Sequence, residues 1–488
     1  MNSVISRNAR KRTICVGLLA TGLLSGCNLA PAYKRPAQPV QNSWPQDAGM
    51  VSPTSSSAAA TLGWKNFFVD RRLKTLIELA MKNNRDLRGQ AAAIIEAQGQ
   101  YQVQHASLFP SISTTGSGMY VAPSSTGGFS FAPGQGEGVS TLRYYSLGIG
   151  FSSYEIDLFG RIRNLSKQEA EAALASEYNA RSVLISTVSQ IATTYIQWLA
   201  DRELLQLASD TLTSQSETLR LTRMQYDHGE SDLLTVSQIN TQVEQAGSDR
   251  EQARRQIAQD EHELQLLVGA PLPNDLPPAA SFGQQTVLTD LPAGLPSDLI
   301  ANRPDIQSAE HTLIGANANI GAARAAFFPR VTLTATEGIS SLEFRRLFTP
   351  GAEMWALSPS ISLPIFTWGQ NEGNLRISKA RKLQEIATYE KTVQTAFKEV
   401  SDALSARETY LAQGRRMTGL VASSQRAYDL SMMRFNTGSI SYLTALVQQR
   451  NLYQAQRSLI EVEAARYQNM VTLYRALGGG WSQSAKAG

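Results

Sequence analysis

The chain is 488 residues long and carries 45 Lys and Arg against 41 Asp and Glu. The excess sits at the start, where Arg7, Arg10, Lys11 and Arg12 precede any acid; the rest balances at 41 of each, which removes the electrostatic pull that a nucleic-acid-binding chain exerts on phosphates. The length exceeds an ordinary single domain, the four histidines His105, His228, His262 and His311 lie too far apart to form a metal-ligand pair, and no P-loop, dinucleotide fingerprint or nucleophile elbow is present.

The first element is a leader. Its basic residues are followed by ICVGLLATGLL, an apolar run too short to cross a bilayer comfortably. Leu24-Ser25-Gly26-Cys27 closes it and resembles the processing box of bacterial lipoproteins. That resemblance implies cleavage before Cys27, a diacylglycerol and an N-acyl group on this residue, and no further cofactor. Asn28 in place of an aspartate implies sorting to the outer membrane. An ordinary secretory leader with an incidental cysteine is the plainer alternative. Cys15 leaves with the leader, so the mature chain keeps one thiol and forms no internal disulfide.

Residues 28–62 are rich in Pro, Ser, Gln and Ala and read as an extended segment running along a folded body. Folding starts at Gly63-Trp64-Lys65, where Trp64, Phe67 and Phe68 supply packing side chains. Long helices follow. From Arg161 to Tyr226 there is neither proline nor glycine, a run of roughly 100 Å at 1.5 Å per residue. Asp232 to Leu267 comes next, interrupted by Gly247; Asn371 to Asn436 repeats the long form and Ser439 to Leu477 the shorter one. Helices of this length are marginal without lateral partners. Their many Ala, Ser, Thr and Gln allow close approach in a coiled-coil-like bundle or cylinder.

The two halves answer each other. LFPSI matches FFPRV, RMQYDHGESDLL matches MMRFNTGSISYL, and Gly160, Gly229 and Gly269 correspond to Gly369, Gly438 and Gly478, each 209 positions on. This reads as an internal duplication of helix, strand, strand, long helix, tight turn and shorter helix. Strands are expected over about 111–121 and 142–159, and again over about 331–341 and 356–366. Each is long enough to cross a membrane as β-structure. Leu147, Ile149 and Phe151 form one face, and Ser146, Gly148 and Gly150 the other. Tyr144, Tyr145, Tyr154, Phe159, Trp355 and Phe366 fall at strand ends, where aromatic girdles belong. The polar stretches at Gly127-Gly128 and Pro133-Gly134-Gln135-Gly136, and RRLFTPGAEM in the second half, read as loops at one end of the strands. An open sheet edge is not tolerated in lipid, so membrane-crossing strands require several protomers to share one barrel. Two hairpins in a water-soluble α+β domain are the alternative.

GWKNFF, NRDLRGQAAAIIEAQGQYQVQHASLFPSI, EIDLFGRIRN, ANRPDIQSAEHTLIGANANIGAARAAFFPRVTLTATEG and LPIFTWGQNEGNL, together with the lipoprotein box, make the chain resemble the outer-membrane factor (TolC-like) family. The branch is that of the OprM-related efflux lipoproteins of RND tripartite pumps, and the likeness runs from Cys27 to about Gly480. It implies a mixed α/β membrane protein: a homotrimer in which four strands per protomer build a twelve-stranded β-barrel, continuous with a long periplasmic α-helical barrel. It implies a signal peptide over 1–26, a lipidated extended segment over 27–62, a first repeat over 63–268, an equatorial segment over 269–296, a second repeat over 297–478 and a tail over 479–488. The implied activity is passive conduction of small molecules, with a periplasmic adaptor, an inner-membrane RND transporter and outer-membrane lipid as partners, and no nucleic acid. The outer component of a type I protein-secretion system shares this architecture. A non-conducting coiled-coil lipoprotein is a third reading, and the paired strands count against it.

In that family a ring of side chains just past the second-half tip closes the tunnel, and this implies Leu443, Thr444, Val447 and Arg450 as gate residues here. Val447 stands where the family usually carries an aspartate. An apolar constriction excludes water and ions by dewetting, while Leu443 and Val447 also suit plain helix packing. Asp232, three residues past Gly229, is a substitute acid for the gate or an N-cap, and the cap is the simpler role. Gly229 and Gly438 mark helix reversals at the periplasmic tips, where adaptor contact is implied. Glu399 and Asp402, like Asp201 and Glu203, read as solvated helix faces; no catalytic residue is assigned and the chain is not read as an enzyme.

Overall fold

The computed structural model describes residues 28–41, 44, 62–122, 142–283, 287, 291 and 296–481. Cys27, the leader and the stretches at Gly127-Gly128 and Pro133–Gly136 lie outside them. Two compact units emerge. One takes Met1–Arg35, Ile95–Leu174 and His311–Ala387, the other Pro36–Ile94, Ala175–Glu310 and Thr388–Gly488, so each draws on both halves of the chain.

The first unit holds the sheet. Strands β1 (Ser113–Val121), β2 (Leu142–Ile156), β3 (Arg330–Ser341) and β4 (Glu353–Ser362) pair antiparallel in the order β1-β2-β3-β4. Register sorts the side chains by type. Leu147 lies opposite Ile339, Phe151 opposite Ala335, Leu357 opposite Ala335 and Ile361 opposite Val331, which makes one face apolar. Ser117–Ser146, Thr115–Gly148, Thr336–Ala356 and Thr334–Ser358 pairs make the other face small and polar. Glu337, opposite Ile149 and Trp355, and Glu353, opposite Ile339, are acids on the apolar side. Gly148 and Gly338 face each other so closely that a Cβ on Gly338 would lie 2.4 Å from the Gly148 Cα. Ser152 and Ser153 stand opposite Thr334 alone. This bulge holds Ser153 at φ 56°, and its amide donates to Thr334 Oγ1 at 3.2 Å.

Two expected strand ends are corrected. β2 stops at Ile156 because the Leu158 amide turns back to the Ile156 carbonyl, and Asp157 takes the Arg163 amide at 2.9 Å to open the next helix. Phe159 therefore lies beyond the strand, stacked on Phe328 at 4.7 Å. β4 begins at Glu353, paired with Ile339, and ends at Ser362, two residues before Pro364, which has no amide for a ladder. Phe366 follows the strand and packs edge-on against Trp368 at 4.9 Å.

The remaining elements are helical. In chain order they are α1 (Trp64–Phe67), α2 (Arg71–Asn83), α3 (Arg85–Ala106), α4 (Arg161–Asp227), α5 (Leu233–Val268), α6 (Pro296–Asn302), α7 (Pro304–Ala325), α8 (Gln370–Asn436) and α9 (Tyr442–Ala476). α5 runs unbroken through Gly247, where a Cβ would meet nothing within 4 Å, so the expected interruption is only a weak spot of about 1 kcal/mol. Among the described residues no helix is long and apolar enough to cross a membrane.

The core of the second unit gathers at the ends of the shorter helices. Trp64, Phe67 and Phe68 are fully buried as expected, with Phe67 stacked on Tyr474 at 4.0 Å. Asp70 caps α2 through the Arg72 and Leu73 amides, and its other oxygen accepts the buried Tyr195 hydroxyl at 2.9 Å. Asn84 caps α3 through the Leu87 amide and donates to the Leu267 carbonyl at 2.7 Å, tying α3 to the end of α5.

Residues 28–31, at the start of the extended segment, are seated on the first unit. In the first unit Asn28 Oδ1 accepts from Asn164 at 2.9 Å, the Leu29 carbonyl from Arg324 at 3.0 Å and the Pro31 carbonyl from Asn317 at 2.7 Å. Gly321 permits this approach, since a Cβ there would lie 2.8 Å from Ala30.

Candidate functional site

Both tips are built alike. α4 ends on Gly229 at φ 76°, where the Gly229 amide returns to the Tyr226 carbonyl and the Glu230 amide to the Gln225 carbonyl at 2.8 Å. α8 ends on Gly438 at φ 72° with the same pair, Gly438 to Phe435 and Ser439 to Arg434 at 2.8 Å. These are Schellman closures, which satisfy the last carbonyls of a helix and need a left-handed residue. A Cβ at either glycine would touch nothing within 4 Å, so backbone conformation alone demands glycine there.

The starts of the returning helices differ. Asp232 is the N-cap of α5: Oδ1 accepts the Thr235 amide at 2.7 Å and Oδ2 the Thr235 hydroxyl at 3.1 Å. Ser441 at the start of α9 makes no side-chain bond to an amide; its hydroxyl lies 3.5 Å from that of Thr444.

Past Ser441 the inward residues are Tyr442, Ala445 and Leu446. Tyr442 packs edge-on against Phe435 at 5.1 Å and joins Val243 in covering the buried cluster Leu219, Val236 and Ile239. Burial pushes its hydroxyl pKa up. Leu443 is 46% exposed, Thr444 and Arg450 are exposed, and Val447 is half-buried. The packing role considered for Leu443 thus belongs to its neighbours Tyr442 and Leu446, which leaves Leu443 and Thr444 on an open face. Arg450 makes no hydrogen bond or ion pair among the described residues.

Two carboxylate readings are corrected. Glu399 accepts Arg303 at 2.8 Å and stands 3.8 Å from Arg475; Arg303 also clasps Asp305 and the Ala476 carbonyl, joining the start of α7 to α8 and the end of α9. Asp201 is 5% exposed, accepts from Gln197 at 3.2 Å and faces Asp260 of α5. Burial, contact with Asp201 and the Glu261 charge push the Asp260 carboxyl up to about 7. One Asp260 oxygen is enclosed without a hydrogen-bond partner, and a proton kept on the pair spares two ionised carboxylates from facing each other. Asp402, paired with Lys398, and Glu203 are exposed as expected. Among the described residues no group of three or more His, Cys, Asp or Glu is placed to hold a metal.

The family model "Outer membrane efflux protein" matches residues 76–270 and 295–479. The probable efflux pump outer membrane protein TtgC of Pseudomonas putida is 44% identical over 461 residues, covering 94% of each chain. The solvent efflux pump outer membrane protein SrpC of the same species is 42% identical over 469 residues, covering 96% of this chain and 98% of its own. The open state of the MtrE outer membrane channel of Neisseria gonorrhoeae superposes with a TM-score of 0.85 at 33% identity, over 94% of this chain and all of that one.

Proposed function

The chain belongs to the outer membrane efflux protein family, and from that premise we propose that it is the passive exit duct of a tripartite pump, a homotrimer fed by an inner-membrane RND transporter through a periplasmic adaptor. As a member of that family it resides in the outer membrane and is not an enzyme. The observation that carries the reading is the sheet: four strands with one apolar and one Ser/Thr/Gly face, and with β1 and β4 at its edges. Hydrocarbon suits the apolar face but not two unpaired edges. Three copies supply twelve strands, remove every edge and turn the polar face to a water-filled lumen. The common 209-residue offset of the turn glycines supports an ancestral duplication as the source of the paired hairpins. Cys27 carries the lipid anchor in this reading, and the seating of residues 28–31 on the first unit leads the chain to it. Efflux of apolar small molecules fits best, since SrpC is named for solvents.

Closure is assigned to Leu443 and Val447 as an apolar ring, with Thr444 and Arg450 beside it and Gly229 and Gly438 shaping the adaptor-facing tips. Asp232 is occupied by its cap and contributes no gating charge. Detergent-corrected sedimentation should give a trimer, and planar-bilayer recordings should show a mostly closed channel. Leu443→Ser and Val447→Ser should each raise conductance severalfold, the double variant more, and Asp232→Asn should leave it nearly unchanged. A stable monomer with full β-signal would refute the shared barrel. Opening by Asp232→Asn but not by the serines would move the gate to the first-half carboxylate. Secretion of a polypeptide through the same duct predicts co-isolation with a protein-exporting ATPase in place of the RND transporter.

A further inference from the structure

At the β1–β2 and β3–β4 hairpin end of the sheet, the apolar face continues into a rim of aromatic and basic side chains. Tyr145, on the same face as Leu147, meets Tyr120 edge-on at 5.6 Å and Phe344 at 5.4 Å. Phe344–Arg346 forms a 3-10 turn held down by buried Leu347, with the Arg346 amide on the Glu343 carbonyl. The turn exposes Leu342, Phe344 and Phe348 at 61%, 61% and 70%, an apolar display without cover among the described residues. Between them the side chains of Arg345 and Arg346 are 90% and 73% exposed. Arg143 of β2, exposed, lies within electrostatic reach of Tyr145. The acids beside them are Glu343, 3.7 Å from Arg345 and 3.3 Å from Arg346, and Glu353, already engaged by the Gly351 amide. Both arginines thus share one carboxylate and keep donors free.

We propose that this rim binds the phosphorylated glycolipid of the outer leaflet, with Arg345 and Arg346 on its phosphate and Phe344, Phe348 and Leu342 among the upper acyl chains. The inference rests on the membrane-spanning reading of the sheet. Its occupant follows from continuity and charge: an exposed apolar strip that runs off a lipid-facing sheet reaches the headgroup level where guanidinium forks meet phosphate. A protein partner would bury the aromatics without needing two free guanidiniums, and a free anion would not need the aromatics.

The test uses the full-length protein in detergent, titrated with diphosphoryl lipid A and read by native mass spectrometry. At roughly 1 kcal/mol per surface arginine, the Arg345→Ala/Arg346→Ala pair should weaken binding by at least about tenfold. Glu343→Gln, which frees both guanidiniums, should tighten it. Dephosphorylated lipid A should bind weakly, and millimolar inorganic phosphate should not displace the lipid. Binding within twofold of wild type in the double variant, equal binding of dephosphorylated lipid A, or displacement by inorganic phosphate would each overturn the proposal. Insertion into phosphatidylcholine nanodiscs is scored separately. Failure to insert overturns the channel reading and this inference together, whereas insertion with arginine-independent binding overturns this inference alone.

Discussion

At residue 232 the first hairpin starts its short helix on an aspartate whose carboxylate takes the Thr235 amide; 209 residues later the second starts on Ser441, whose hydroxyl reaches no amide. The same contrast recurs along the helices. Asp260 of α5, crowded by Asp201, corresponds to Asn469 of α9, which donates to the Ala403 carbonyl at 2.9 Å, and Asp201 corresponds to Tyr410. Yet the backbones agree. α4 and α8 each have 67 residues, and the glycines closing α5 and α9 sit at φ 74° and 83°. A few left-handed positions and the helix lengths set the hairpin. Charge at the packed positions is then free to diverge, and the carboxyl pair of the first hairpin has no counterpart in the second.

The largest effect should come where the halves agree. Valine at Gly229 or Gly438 must take a left-handed φ that a β-branched residue resists, at roughly 1–3 kcal/mol, or give up the Schellman bonds. Amide exchange at Glu230 and Ser439, whose hydrogen bonds close the two turns, should accelerate in Gly229→Val and Gly438→Val respectively, by similar factors. Adaptor crosslinking should fall in both. Loss of protection at one tip only would show that the matched φ values conceal unequal turns.

The second test exchanges a residue between the halves. Folded Asp260 holds its proton up to about pH 7, while the unfolded residue releases it near 3.8. The folded state therefore binds the extra proton between these values. The site's contribution is full below about pH 4, declines as pH rises, and is lost above about pH 7. Asp260 is only half-buried, so solvent screening holds the loss to about 1–2 kcal/mol and not the full value of the shift. Asp260→Asn installs the second-half residue and removes the loss. The variant should melt above wild type at pH 8, with the gap narrowing at pH 5. A gap of equal size at both pH values would mean that packing, not a shared proton, separates the two hairpins at this position.

This carboxyl pair also marks where sequence reading runs out. The glycines were legible because a positive φ leaves few other residues possible, and the common offset made three of them a pattern. Leu147, Ile149 and Phe151 gave one sheet face because strand alternation is local. Asp201 and Glu399 were misassigned to solvent because their burial depends on Asp260 of α5 and on Arg303 between α6 and α7, both far along the chain. At the tip, Leu443 and Tyr442 are adjacent, and a one-residue rotation of the helix decides which packs inward. Phe435 and the Leu219–Ile239 cluster fix that rotation, and neither is adjacent in sequence. The strand ends at Ile156 and Ser362 were missed because aromatic residues just outside a strand look like those within it.

The smallest effect concerns the caps. Ser441 has φ −72° and ψ 152°, an extended N-cap conformation like that of Asp232, and Thr444 stands where Thr235 stands in the first half. An aspartate at 441 can therefore take the Thr444 amide and hydroxyl as Asp232 takes those of Thr235. Asp232→Ala should cost α5 about 1 kcal/mol. Ser441→Asp should gain α9 about 0.5 kcal/mol, a smaller change because the Thr444 amide already reaches the Ser441 carbonyl at 3.1 Å. Hydrogen exchange at Thr235 and Thr444 reads each change directly. Conductance supplies the second readout: if Leu443 and Val447 close the duct by excluding water, a firmer cap one turn before them should leave closure intact. A Ser441→Asp channel that opens while its Thr444 amide becomes better protected would show that charge at the tip, not the apolar ring, controls the gate.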